Sequence, residues 1–415
     1  MTKTLAIIGA GIIGVSTAIW MQREGHKVIL IDKAGPGEGA SHGNGGVLAS
    51  CSMIPVTVPG LIRKAPRMLF SPNQPLFLKW SYLPKLLPWL AKYLGHANEK
   101  DVNRIAEAVH GIVGDSLAEH QALAEGTGAE HFIVPSDYLF LYRDRAHFEE
   151  DAFGWSIRAA CGFQWEELEG EAVRAYDHGY SSDIGFAVKL GDHGRITDPG
   201  QYVKALAAHA KENGAQIVQA EVQRIEVDSD EGLSLKTDFG TIEADDILVA
   251  TGAWSKPLAA QLGLDVPLES ERGYYLELWE PNYLPKSPVM VASGKFVITP
   301  MDGRIRLAGV VEFGGLEAGA SAAPIELLKQ NIRAAMPDLT WEREVEWMGH
   351  RPAPADSIPA IGAVPGIKGA WLGFGHHHIG LTGGPKTGRL LAQMISGKRT
   401  NLDLSPYTAT RFQQL

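Results

Sequence analysis

The sequence predicts an α/β chain in which a parallel-sheet domain is interrupted by a second, α+β domain built on an antiparallel sheet. Three observations predict it. An apolar strand, a glycine-rich turn, a helix and a second strand follow one another over residues 3–33. Segments of the same style return at 195–270 and 342–415. Between them, 271–341 reads as short antiparallel strands plus one helix, and 61–194 mixes helices with longer strands. The expected division is therefore 1–60, 195–270 and 342–415 for the first domain, with 61–194 and 271–341 forming the inserted one.

The first stretch carries the most chemistry. Leu5 to Ile8 is a short apolar run without polar alternation, as in a buried strand. Gly9, Gly11 and Gly14 then form G-x-G-x-x-G, and Ile12 to Glu24 is a helix that Gly25 can close. Val28 to Ile31 is the second strand, with Asp32 at its carboxyl end. Gly9 allows the tight turn, Gly11 lets a pyrophosphate approach the backbone, and Gly14 lets helix and strand pack closely. The helix N-terminus offers free N–H groups and a positive dipole to phosphates. An acid about twenty residues on can accept from a ribose diol. The combination predicts a Rossmann-type dinucleotide site and leaves open which dinucleotide.

Composition narrows the partners. The chain has 415 residues, 45% of them hydrophobic, enough for two domains with large cores. A net charge of −10 argues against a nucleic-acid partner. Cys51 and Cys161 form neither a redox pair nor a zinc or cluster spacing, which fits a reducing compartment. No signal peptide or apolar run long enough to span a bilayer is visible, so a cytoplasmic location is expected.

In chain order, the next segment, 34–47, is rich in glycine and suited to lying against a flat ligand. Residues 47–98 contain no acid. They carry Arg63, Lys64, Arg67, Lys79, Lys85 and Lys92 among Phe70, Phe77, Trp80, Tyr82, Trp89 and Tyr93. Such a surface suits peripheral contact with the inner face of a membrane, or docking of an electron acceptor; a lid over a second domain is the plainer reading. A helix is expected over 101–125, a strand over 130–143, and helices over 144–175. Asp198 before Pro199 is an N-cap signal for a helix ending near Gly214. A hairpin at 233–244 and a buried strand at 246–250 follow. A last helix is expected over 384–396.

Landmarks spread along the chain make it recognisable. They are Ile7-Ile-Gly-Ala-Gly-Ile-Ile-Gly; Ala40-Ser-His-Gly-Asn-Gly-Gly; Ala250-Thr-Gly-Ala-Trp-Ser; Arg272-Gly-Tyr; Gly349-His-Arg-Pro; and Gly375-His followed by Gly380-Leu. In this order they resemble the D-amino-acid oxidase superfamily of FAD-dependent amine oxidoreductases, which includes glycine and sarcosine oxidases. The bacterial D-amino-acid dehydrogenase branch is the most similar. The resemblance implies FAD, an amino-acid substrate, and an antiparallel sheet roofing the flavin. It implies that Gly9, Gly11, Ile12, Ile13 and Gly14 hold the pyrophosphate, with Asp32 and Lys33 on the adenosine side. Ser41, His42, Asn44, Gly45 and Gly46 would pass the flavin ring. Val222 would meet the adenine edge through its backbone, and Thr251, Gly252 and Trp254 would close the pyrophosphate side. Gly349, Gly375, His376, Ile379, Gly380, Leu381 and Thr382 would border the isoalloxazine.

Oxidation at an amino acid's α-carbon needs a hydride acceptor, a carboxylate anchor and a free amine lone pair. A bidentate arginine suits the anchor. Arg351 is the first candidate and Arg272 the second. His378 is a candidate to touch the substrate amine, and Tyr274 or Tyr275 to cap the pocket. His376, His377 and His378 invite a metal reading. In extended chain only His376 and His378 would share a face, and no neighbouring acid or cysteine supports it, so no metal is expected. The N-terminus of the last helix, near Thr382, would favour negative charge on the reduced flavin. The implied reaction is hydride transfer from a D-amino acid, giving an imino acid that hydrolyses to an oxo acid and ammonia. The run Gly375-His-His-His-Ile-Gly departs from the usual Gly-His-Gly. That keeps open a cyclic secondary D-amino acid such as D-proline or D-hydroxyproline, a glycine- or sarcosine-type oxidase, and a flavin-binding subunit of a larger complex. The electron acceptor (quinone, protein carrier or oxygen) stays open.

Overall fold

A computed structural model describes residues 2–61, 75–228 and 232–412. Its first sheet has six strands in the order Ala360–Ala363, Ala370–Phe374, Asp246–Val249, Thr4–Ile8, Lys27–Asp32, Gln216–Gln219. All neighbours are parallel except the edge pair Ala360–Ala363 with Ala370–Phe374. The apolar run at the N-terminus thus sits at the centre, buried on both faces. Leu5 and Ile7 face a layer formed by the Ile12–Arg23, Pro199–Glu212 and Gly380–Ile395 helices. Ala6 and Ile8 face the opposite layer, where Ile225 and Leu235 of a three-stranded meander meet Leu258 of the Ser255–Gln261 helix. Asp198 caps its helix as its sequence predicts, its side chain accepting from the Gln201 N–H at 3.0 Å.

The second sheet has ten strands among the described residues and is largely antiparallel. Its path runs Arg343–Pro354, Leu268–Trp279, Arg304–Phe313, Phe296–Met301, Val289–Val291, Ile133–Tyr142, Phe186–Ile196, Val47–Leu48. The Ala323–Ala335 helix covers one face through Ile325, Leu328 and Ile332. The other face looks toward the first domain.

Several elements differ from their expected form. The helix expected over 101–125 is two helices, Glu99–Val113 and Ser116–Ala124, parted at Gly114. Glu166–Glu169, expected as a helix face, is an edge strand on Phe186–Ile196, and only its Leu168 is buried. The last helix starts at Gly380, four residues early, despite its two following glycines. Strand membership also departs from the expected division. Val47–Leu48 and Arg343–Pro354 belong to the second sheet. Ile105, Val109 and Leu123, from the inserted segment, pack into the first domain's core. We propose that the first domain takes in the helices of 99–124 and gives up 343–354.

Candidate active site

A cavity of about 800 Å³ runs between the two sheets. That is toward the upper end for small-molecule sites, about 300–1,000 Å³. One end is the nucleotide fingerprint. Gly9 holds φ +108°, and a Cβ there would fall 2.4 Å from the Ala250 carbonyl oxygen. A Cβ on Gly14 would fall 2.0 Å from the Gly9 oxygen, so this glycine packs behind the turn and does not line the cavity. Gly11, Ile12 and Ile13 line it at the helix N-terminus. Ser41 reaches over from the glycine-rich segment, and its Oγ accepts from the Ile12 N–H at 3.0 Å. Asp32 shapes the turn as well as facing the cavity: one oxygen accepts from the Ala10 N–H, the other from Ala34 and Gly35. Lys33, Val222, Thr251, Gly252 and Trp254 complete this end.

The glycine-rich segment continues along the cavity through Asn44 and Gly45. His42 and Gly46 stand behind it. His42 packs beside Tyr275 and Trp347 at ring distances of 6.3 and 5.9 Å, and Gly46 sits against the Ile196 carbonyl. Trp347 fills the space over Gly43 and Gly349; a Cβ on either would fall within 2 Å of its ring. Only glycine leaves room for this indole, which sequence alone did not single out.

The far end collects the candidate chemistry. Arg351 projects from the Arg343–Pro354 strand, opposite Glu271 in register. Its guanidinium lies across Gly273, where a Cβ would fall 2.6 Å from Cζ. Burial draws the Arg351 pKa below its ordinary value, while the neighbouring Glu271 opposes that. Glu271 is only 3% exposed yet lines the cavity. Burial pushes its carboxyl up, but His377 and then Arg351 outweigh this and hold it below the ordinary range. Gly375, Ile379, Gly380, Leu381 and Thr382 line the same end, at the N-terminus of the last helix. That N-terminus has no side-chain cap, and the Leu381 and Thr382 carbonyls are held by His120 and Ser116.

The three histidines do not alternate, because His377–Ile379 forms a 3-10 turn. His376 turns inward to the Thr387 hydroxyl at 3.0 Å, and burial lowers its pKa to about 3. Its Nε2 donates, since the Thr387 hydroxyl itself donates to the Gly383 carbonyl. His377 and His378 touch each other instead, Nδ1 to Nδ1, at 2.7 Å. His378 faces open cavity space within a wall of protein. That enclosure, with His377 and Arg351 beside it, holds its pKa down to about 3, so it is neutral.

Two candidates are corrected. Tyr274 does not cap the pocket: it lies on the opposite face of its strand, and its hydroxyl donates to Glu312 at 2.6 Å. Arg272 shares that face, is fully buried and pairs with Glu312 at 2.9 Å, so it is no substrate anchor. Side chains alternate along a strand, and the positions that reach the cavity are Glu271 and Gly273. Glu271 was missed; Glu269 and Glu277 stand in the same strand, so the sequence does not single it out.

Fold and cavity define a class: a two-domain protein whose parallel sheet carries a dinucleotide fingerprint and whose second sheet closes the far end of the same cavity. The family of FAD dependent oxidoreductases called DAO matches residues 4–394, and the chain belongs to it. A D-amino-acid oxidase of Bradyrhizobium diazoefficiens is 39% identical over 99% of both chains. A D-amino acid dehydrogenase of Rhizobium rhizogenes is 29% identical over 98% of this chain and 99% of its own. The glycine oxidase of Geobacillus kaustophilus shares the fold with a TM-score of 0.77, at 23% identity over 99% of both chains. The cofactor is FAD. The residues fit it: the tight Gly9 turn and the open helix start at Gly11 would receive its phosphates, and one cavity leads from there to Arg351.

Proposed function

We propose that the protein oxidises a D-amino acid at its Cα–N bond. The observation that carries this is Arg351: a guanidinium pressed flat on Gly273, facing the cavity at the end remote from the nucleotide turn. A flat, fixed guanidinium holds a carboxylate through two parallel hydrogen bonds. FAD supplies the hydride acceptor when bound. The chain's own part is to fix the carboxylate, orient the Cα–H, exclude water and receive the amine proton. The names of the relatives support the D configuration. Released imine then hydrolyses to an oxo acid and ammonia. Anaerobic mixing with D-, L- and N-methyl amino acids tests the reading: D-amino acids should bleach the yellow flavin, and no bleaching by any amine overturns it. Arg351→Leu should retain FAD and lose that bleaching, by about 10²-fold or more in rate at fixed substrate.

Our first reading of the acceptor is an electron carrier or quinone, as in the dehydrogenases. The 39% identity to an oxidase favours oxygen as a second reading. Stoichiometric peroxide in air distinguishes the two.

We also propose cytoplasmic placement with peripheral contact at an anionic membrane. No described helix is long and apolar enough to cross a membrane. The Leu83–Gly95 helix exposes Leu87 at 52%, and Lys85 and Lys92 on other sides of it. Trp89 and Tyr93, part of the aromatic pattern that suggested this contact, instead stack together at 4.5 Å and are buried. Arg63, Lys64, Arg67 and Phe70 lie outside the described residues. Co-sedimentation with phosphatidylglycerol vesicles, lost in 0.5 M salt, is the expected result; none at low salt overturns it.

A further inference from the structure

The cavity's far end contains an ordered chain of three titratable groups. The Glu271 Oε1 lies 2.9 Å from the His377 Nε2, and the His377 Nδ1 lies 2.7 Å from the His378 Nδ1. The proton positions follow from the partners. An ionised carboxylate only accepts, so the His377 Nε2 carries a hydrogen. A single hydrogen bridges the two Nδ1 atoms at 2.7 Å; with it on the His378 Nδ1, the His377 Nδ1 accepts. Neutral His378 is left with a bare Nε2, available to accept a proton. His377 is held in a strained, left-handed backbone conformation, with φ +51°.

We propose that Glu271, His377 and His378 form a relay that removes the substrate's ammonium proton, with His378 the catalytic residue and the other two positioning it. This rests on the D-amino-acid reading above. A substrate ammonium has no lone pair to form the C=N bond. In the step, its N–H bond breaks and an N–H bond forms at the His378 Nε2. The His378 Nδ1–H passes to the His377 Nδ1, making His377 an imidazolium against the Glu271 carboxylate. The freed amine pair forms C=N as the Cα–H leaves with its electron pair to the flavin of the holoenzyme. The positive charge thus comes to rest beside a carboxylate. His378 alone would have to hold it next to that guanidinium. Among the described residues, Arg351 and Glu271 face His378 from their strands, and His377 from its own segment. The 52–56 segment and the Glu99–Val113 helix present Ser52, Ile54, Ile105 and Val109 to this corner.

Two measurements test the relay. The first needs no substrate: 15N NMR of histidine-labelled protein at neutral pH, with His378 assigned by loss of its signals in His378→Gln. A hydrogen on Nδ1 and none on Nε2 is expected; the reverse tautomer overturns the proposal. The second is the pH dependence of anaerobic flavin reduction by a D-amino acid that bleaches the wild type. Glu271→Gln removes the resting place for charge. It should shift the acid limb to lower pH and slow the plateau by about 10²-fold, within the range for general bases. A Glu271→Gln protein that keeps FAD and shows an unmoved limb overturns the relay. A wild type that no amino acid bleaches overturns the D-amino-acid reading instead, and the tautomer still judges the relay.

Discussion

At Gly273 the strand has no side chain, and the Arg351 guanidinium occupies that space. An added Cβ would lie 2.6–2.8 Å from three guanidinium atoms, which no real Cβ tolerates. Gly273→Ala should therefore lift Arg351 off its seat and leave the distant nucleotide turn untouched. The expected outcome is normal FAD content with kcat/KM for the amino acid down by about 10²-fold, the order lost to a 1 Å misplacement. Bound FAD and steady-state kinetics check both halves. The same strand shows why sequence reading stopped short here. Arg351 was legible because an arginine in a Gly-His-Arg-Pro landmark has a known role in relatives. Glu271 was not, because its partner His377 is 106 residues away in sequence. Tyr274 was misread because its side depends on strand parity, which one apolar run with polar residues on both faces does not reveal.

Among elements, the Ile12–Arg23 and Gly380–Ile395 helices define how closely the nucleotide end and the histidine end approach. They cross through glycines of the later helix. A Cβ on Gly384 would meet Ile12 at 2.7 Å, and one on Gly388 would meet the Ser16 and Thr17 backbone at 2.7 Å. Backbone cannot step aside as a side chain can. Gly388→Ala should cost about 1–3 kcal/mol, the usual penalty for overpacking. Urea titration should show a lower midpoint with unchanged slope. FAD retention should fall too if the displaced Ile12–Arg23 helix is the one whose N-terminus receives the phosphates. The two helices were individually legible: the first follows its glycine fingerprint and is apolar almost all round, and the second carries a 3.6-residue apolar period. Their contact was not, because glycine spacing along a helix reads as weak propensity until the partner is known. The break at Gly114 was hidden for a similar reason: the apolar pattern runs on through it, and tertiary packing decides where the chain turns.

Across the whole molecule, the two domains are tied by a buried charge network. The Glu277 Oε1 accepts from Arg304 at 2.7 Å and from Arg306 at 2.7 and 3.1 Å. Arg304 goes on to Asp198 at 2.8 Å, the cap of the Pro199–Glu212 helix in the first domain. Arg306 donates to the His42 and Asn44 carbonyls, which fixes the glycine-rich segment along the cavity. Burial alone would raise the Glu277 and Asp198 pKa values. The arginines, and for Asp198 also the Gln201 N–H, outweigh it and hold both carboxyls low. Depressed folded pKa values mean the stabilisation is fully present above the unfolded values, near about 4. It is lost as the pH falls through the lower folded values. Acid should therefore release FAD as the tie between domains loosens, in a window below about pH 4. Glu277→Gln should bring that release to neutral pH, since it leaves two buried guanidinium groups short of a carboxylate. Breaking such a buried pair costs about 3–5 kcal/mol. Flavin fluorescence, which rises as FAD leaves, measures it against pH. Wild type and variant releasing FAD at the same pH would show that the charge network does not hold the cofactor segment.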